Sequence, residues 1–170
     1  ATDDVSVIVK SAAIPSGSSA YGGTPRAIPG TIQAEDYDNG GASVAYNDLS
    51  AGNLGEEYRV TESVDISYSN KEGSNFIGWT QSGEWAKYSV NISTTKSYTL
   101  KMRVASAGAG KTVRIEIDGA TVATVTLPNT GSTDTWATVT VSGINLTAGL
   151  RTLRVYNISG GQSINYIKFQ

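Results

Sequence analysis

The sequence predicts an all-β protein, a sandwich of two antiparallel sheets, and three observations predict it. Several short segments alternate apolar and polar residues strictly, the period of a half-buried strand. Turn residues recur at a spacing of roughly ten, as in all-β sandwiches. No segment holds a helical period for more than two turns.

The elements follow in order. Residues 1 to 29 stand apart: VSVIVK is a candidate short strand, but SAAIPSGSSAYGGTPRAIPG is rich in Gly, Ser, Pro and Ala. That composition predicts a linker or N-terminal extension that lies along a domain without a core of its own. The boundary is set at Pro29-Gly30, and residues 30 to 170 form the sandwich domain. TIQAEDY is its first convincing strand. In EWAKYSV the period puts Ala86, Tyr88 and Val90 inward, with Trp85, Lys87 and Ser89 outward. YTLKMRV places Tyr98, Leu100, Met102 and Val104 on the core face. VRIEI ends at Asp118-Gly119, a strong hairpin signal. TVATVTL, WATVTV, TLRVY and INYIKF complete the set.

Composition removes whole classes of chemistry. Without cysteine or histidine, disulfides, thiolate zinc sites and a Ser-His-Asp triad are excluded, as is the commonest general base. A metal would have to be a hard cation held by oxygen, with calcium the leading candidate. The formal charge is −2 and the pI about 5.1, which gives no overall attraction for nucleic acid. No apolar run is long enough for a membrane helix. Only 16% of residues are charged, while Ser, Thr, Asn and Gly abound, a surface suited to neutral polar partners. VSVIV is too short for a signal-peptide core, so secretion is expected with the leader removed or carried on a longer parent chain.

The three tryptophans do not take core positions in this reading. Trp85 and Trp136 fall on the polar register of their strands, and Trp79 lies just before a Ser-Gly turn. Trp79 and Trp136, at strand ends beside loops, suit a cleft in which an aromatic face stacks on the C–H face of a sugar. Sealing the ends of the sandwich accounts for them equally well. Trp85 is either covered by a loop or forms a platform on the outer sheet face.

Residues 29 to 169 resemble the family-6 carbohydrate-binding modules. The likeness rests on PGTIQAEDYDNGGASVAYND, GNLGEEYR, VDI, IGWTQSGEWAKYSVN, YTLKMRVAS, TG followed by TWATVTV, and LTAGLRTLRVYNISGGQSINYIKF, in that order and spacing. It implies a β-sandwich of the jelly-roll type with no catalysis of its own, a monomer that holds an attached glycoside hydrolase against polysaccharide. YGGTPRAIPG is similar to the lead-in that joins such modules to their enzymes. The ligand expected first is a β-1,3-glucan of the laminarin type, with agar or xylan as alternatives. No nucleic acid or membrane partner is expected. Binding competes with two other readings, a glycosidase using Glu84, Glu35, Asp36 or Asp65, and a purely structural or adhesion domain.

Site residues follow from the resemblance by motif. Trp79 stands at one wall of a loop-end cleft. Trp136 is assigned to the opposite wall, although the family often carries that tryptophan where this chain has Thr133. Ser163 stands where an Asn often bonds sugar, with Asn165 the alternative contact, and Ser67 stands where the family often has Glu. Trp85 corresponds to the aromatic of a second site on the concave sheet face. A structural calcium ion is implied at Gln33, Glu35 and Asn165. Residue chemistry is compatible: Gln33 and Glu35 lie two apart, and pairing of first and last strands would bring them to Asn165, with carbonyls near Ser74 and Asn75 completing the shell. A surface polar pair without an ion is the alternative. The sequons at Asn91, Asn145 and Asn157 permit glycosylation only in a eukaryotic secretory context.

Overall fold

The structure, a computed structural model, describes residues 17 to 170. The candidate strand VSVIVK lies outside the described residues. Twelve strands follow a single 3-10 turn at Tyr21–Gly23: β1 Arg26–Ile28, β2 Gly30–Gln33, β3 Tyr46–Asn47, β4 Ile66–Ser69, β5 Ser74–Ile77, β6 Trp85–Ile92, β7 Lys96–Ser106, β8 Thr112–Ile117, β9 Ala120–Thr126, β10 Trp136–Leu146, β11 Gly149–Asn157 and β12 Gln162–Phe169.

They form two sheets. Sheet 1 runs β1-β6-β11-β8-β9, with β3 also on β6, and sheet 2 runs β10-β7-β12-β5-β4, with β2 also on β12. Strand pairing is antiparallel throughout except for β1 on β6. The expected all-β sandwich is the observed fold. Asp118 and Gly119 both take positive φ, 50° and 82°, and turn β8 into β9, the backbone that a two-residue hairpin of the right twist requires.

The core is what the alternation dictates. Tyr98, Leu100, Met102 and Val104 of β7 face Ala86, Tyr88, Val90 and Ile92 of β6, and all are buried. Each large side chain so removed from water contributes about 1.5–3 kcal/mol before entropy is counted. The Tyr88 hydroxyl donates to the Ala34 carbonyl at 2.8 Å, so the polar atom placed between the sheets is satisfied. β10, at the edge of sheet 2, leaves Val139 and Val141 only partly buried.

Two elements depart from expectation. Composition sets the boundary at residue 29, yet Arg26–Ile28 pairs with β6 and Ile28 is fully buried. The Arg59 guanidinium lies over the rings of both Tyr21 and Tyr37, at 4.5 and 3.6 Å, fastening the preceding turn to the sandwich. The described part of the extension is therefore packed on the domain. β2 ends at Gln33, and the chain turns there, with Asp36 N–H donating to the Gln33 carbonyl. Glu35 accordingly sits beyond the strand, not on its face.

Candidate functional site

GWTQSGEW lies between β5 and β6, and its backbone is fixed on both sides of Trp79. Gly78 N–H donates to the Asp65 carbonyl at 2.9 Å. Thr80 is tied to the β11–β12 loop: its hydroxyl donates to the Gln162 carbonyl (2.7 Å) and accepts from Gln162 N–H (3.1 Å), while its carbonyl accepts from Gly161 N–H (2.6 Å). Between these anchors Trp79 has φ of +45° and its side chain is 51% exposed. A bulky residue in left-handed backbone is strained, and such strain persists only where neighbouring structure imposes it. At Gly78 a Cβ would stand 2.9 Å from the Phe76 ring, so a side chain there would have to displace that ring.

The turn that follows is built on Glu84. Its carboxylate accepts from Gln81 N–H (2.7 Å) and Leu49 N–H (3.0 Å). Burial raises its pKa, and those two amides oppose the rise. Asp65 is held in the same way, accepting from Leu54 N–H and the Ser50 hydroxyl, and burial raises it too. Both carboxylates serve as anchors of loop backbone.

Trp79 overhangs a cleft of about 260 Å³ lined by Phe76, Gly78, Trp79, Thr80, Thr133, Gly161 and Ser163. Ser163 is buried and donates to the Thr133 carbonyl at 2.8 Å, which leaves its oxygen lone pairs as acceptors. Trp136 is not among the lining residues. Its ring stands edge-on to Phe76, and its indole N–H donates to Asp134 (2.8 Å) and Ser69 (3.1 Å), directed away from the cleft. Thr133 occupies the position assigned to Trp136, so the described cleft has one aromatic wall that is exposed. The physical reason is the outward register of Trp136 on β10, which aims the side chain at β4 and at the loop carrying Asp134.

Two participants escape the sequence reading. Phe76 forms the floor, signalled only by its place on β5. Lys111 is brought to the rim by the fold: a Cβ at Gly161 would meet its ammonium at 3.1 Å.

Asn165 also lies outside the cleft lining. It is the extra residue of the bulge that β12 makes against β7. Its Nδ2 donates to the Ser74 hydroxyl (2.7 Å) and the Asn75 carbonyl (3.1 Å), and its carbonyl accepts from Ala34 N–H. The strand of TIQAEDY, β2, does pair with the last strand, β12, with Gln33 opposite Tyr166. Gln33 Oε1 and Glu35 Oε2 are buried with no donor. Burial pushes the Glu35 carboxyl up to about 7. Two unpartnered buried oxygens near an asparagine bulge are oxygen donors of the type a hard cation takes, although the described residues hold no group of three His, Cys, Asp or Glu that could bind a metal.

Trp85 lies on the outer register of β6, part-buried, with the Lys87 ammonium 4.9 Å and the Arg154 guanidinium 5.6 Å from its ring centre. It is separate from the cleft.

Comparison with known proteins agrees with this geometry. The family model for carbohydrate binding module (family 6) matches residues 54–170. The C-terminal family-6 module of a marine laminarinase from Zobellia galactanivorans is 28% identical, with a TM-score of 0.66 over 82% of this chain and 97% of that one. A module of Cellvibrio mixtus lichenase 5A, in complex with cellotriose, is 27% identical, with a TM-score of 0.64 over 84% and 96%. An isomaltosyltransferase from Sporosarcina globispora is 28% identical over 128 residues, which is 73% of this chain but only 12% of that enzyme. With the matched segment running from the loop before β4 through β12, and the fold shared along nearly the whole length of those modules, this chain belongs to family 6 of the carbohydrate-binding modules.

Proposed function

We propose that the module binds a β-linked glucan, a laminarin-type β-1,3-glucan first, by stacking a sugar ring on Trp79 in the loop-end cleft. The observation that carries this reading is Trp79 itself, half-exposed and held in left-handed backbone by anchors on both sides. A strained, exposed aromatic above a cleft serves a ligand better than it serves packing. Ser163 Oγ and the Thr133 side chain offer hydroxyl partners at the cleft. The laminarinase from which one similar module comes, and the cellotriose held by another, favour a β-glucan. Agar or xylan chains remain the alternative ligands.

The rest of the reading is of a piece. Calcium held by Gln33, Glu35 and Asn165 would tie the start of the sandwich to its last strand and give the two orphan oxygens a partner. The module would act as a secreted monomer attached to a glycoside hydrolase.

Affinity electrophoresis against laminarin, cellulose derivatives, agar and xylan, run on the wild type and Trp79→Ala, tests the proposal. Retardation by laminarin that the substitution abolishes is expected. A folded wild type that no glycan retards would overturn it.

A further inference from the structure

Lys111 stands immediately before β8, where the fold fixes its backbone and leaves its ammonium free. The Lys111 carbonyl accepts from Leu127 N–H at 2.8 Å. The next residue, Thr112, is tied to the β11–β12 loop through both its backbone groups. Its N–H donates to the Ser159 hydroxyl (2.7 Å), and its carbonyl accepts from Ile158 N–H (3.1 Å) and Ser159 N–H (3.2 Å). The part-buried Lys111 side chain then runs between two glycines. A Cβ at Gly108 would stand 3.6 Å from its Cε, and one at Gly161 would stand 3.7 Å from Cε and 3.1 Å from Nζ. Gly161 lines the Trp79 cleft, so the stem lies against the cleft's own loop and the ammonium reaches its rim. A lysine stem packs in this way while its charged head stays in water.

The other polar groups of the cleft are largely committed. Thr80 Oγ1 already donates to the Gln162 carbonyl and accepts from its N–H. Ser163 Oγ has given its hydrogen to the Thr133 carbonyl and can only accept. A sugar hydroxyl both donates and accepts, so Ser163 answers one half of that need and leaves the other open. No lining residue carries a charge. The carboxylates of the surrounding loops are engaged elsewhere: Asp134 with Lys71, Ser69 and Trp136, Glu84 with the Gln81 and Leu49 amides, and Asp65 with Leu54 and Ser50. Among the described residues, Lys111 Nζ has neither an ion-pair partner nor a hydrogen-bond acceptor.

We infer that Lys111 is a ligand-binding residue of the cleft, its ammonium donating to hydroxyls of the sugar ring stacked on Trp79. On the carbohydrate-binding reading of that cleft, on which this rests, Lys111 supplies a charged donor that none of the lining side chains offers. Three N–H groups on one nitrogen serve more than one hydroxyl at a time. A hydrogen bond from a charged donor is about twice as strong as one between neutral groups. Which hydroxyls a ring turns toward Lys111 therefore weighs on whether the cleft accepts it.

The test is isothermal titration with laminarin, and with xylan and agar oligosaccharides beside it, on wild type, Lys111→Met, Trp79→Ala and Lys101→Met, with thermal unfolding of each protein. Lys111→Met keeps an apolar stem over Gly161 and removes the donors. Lys101 faces outward from sheet 2 between Thr140 and Lys168, outside the cleft lining, and its variant controls for the loss of one positive charge. Lys111→Met should weaken binding about tenfold or more at an unchanged melting temperature, and Lys101→Met should bind as wild type does. Binding lost in Trp79→Ala but kept in Lys111→Met overturns the role of Lys111 and leaves the cleft reading standing. An equal loss in Lys101→Met overturns it too, by tracing the effect to overall charge. A melting temperature that falls together with binding in Lys111→Met assigns the residue to holding the loop, and likewise overturns it. A folded wild type that binds none of the three glycans overturns the cleft reading and the role of Lys111 together.

Discussion

Phe76 and Trp136 meet edge to face, ring centres 5.2 Å apart at 72°. This contact divides the aromatic residues at the loop end into two groups with different duties. Phe76 presents one side to the cleft and the other to Trp136, while Trp136 completes a hydrogen-bonded corner with Asp134 and Ser69. Removing Trp136 should therefore cost stability first. Trp136→Ala is expected to lose about 2–4 kcal/mol of unfolding free energy, since a large part-buried ring and its hydrogen bonds go together. Chemical denaturation measures it; unchanged stability with abolished glycan binding would return Trp136 to the cleft wall.

Trp79 should behave in the opposite way. Trp79→Gly relieves the positive φ and is expected to unfold no earlier than wild type, because glycine adopts left-handed backbone without strain. Binding to laminarin should fall about five- to tenfold, the loss of one stacking contact of about 1–1.5 kcal/mol. Thermal unfolding and isothermal titration on the same preparation check both halves.

Gly160 offers a separate handle on the same loop. A Cβ there would stand 2.5 Å from the Thr80 carbonyl oxygen and 2.7 Å from the Gln81 Cα. Gly160→Ala must push the segment that carries Trp79, and should weaken stability by about 1–3 kcal/mol and glycan binding together. Intact binding with a lowered melting point would show that the displacement stops short of Trp79.

Calcium is checked by its removal. Chelation should lower the melting temperature by about 5–10 °C if the ion stabilises by about 2.7 kcal/mol, the value at a hundredfold excess over its dissociation constant. Glu35→Gln removes the charged ligand proposed for the ion and should make the protein insensitive to chelator. A chelator effect unchanged in that variant would place the ion elsewhere.

Asp134 supplies a pH dependence. Hydrogen bonds from Ser69 and Trp136, and the ammonium of Lys71, hold its carboxyl below the ordinary 3.8. The folded value is the depressed one, so its contribution is complete above pH 3.8 and is lost as pH falls through the folded value. The carboxyl is 45% exposed, which keeps the effect modest. In Asp134→Asn the melting temperature should decline less steeply than in wild type below pH 4, as followed by circular dichroism.

Alternation along the strands was sufficient to read the core, because period 2 leaves each side chain one of two faces. Ala86, Tyr88, Val90 and the four core residues of YTLKMRV are buried as that rule requires. Site geometry was less legible. The outward register of Trp136 was visible, but not that its indole would find Asp134 and Ser69, because that contact spans 67 positions of sequence to Ser69. The Thr80 anchors to Gln162 are likewise long-range, 82 positions apart. Arg26–Ile28 was hidden by its own composition, since three residues between Gly, Pro and Thr carry no periodicity to detect.

The Thr80 clamp joins two loops through hydrogen bonds made entirely within the chain. A preformed socket has little disorder left to surrender, so the entropic cost of association falls on the flexible sugar chain. Such a receptor selects among the shapes a polymer already samples. A glycan whose linkage bends it toward the bound shape gains by that curvature alone, before any difference in hydroxyl contacts is counted.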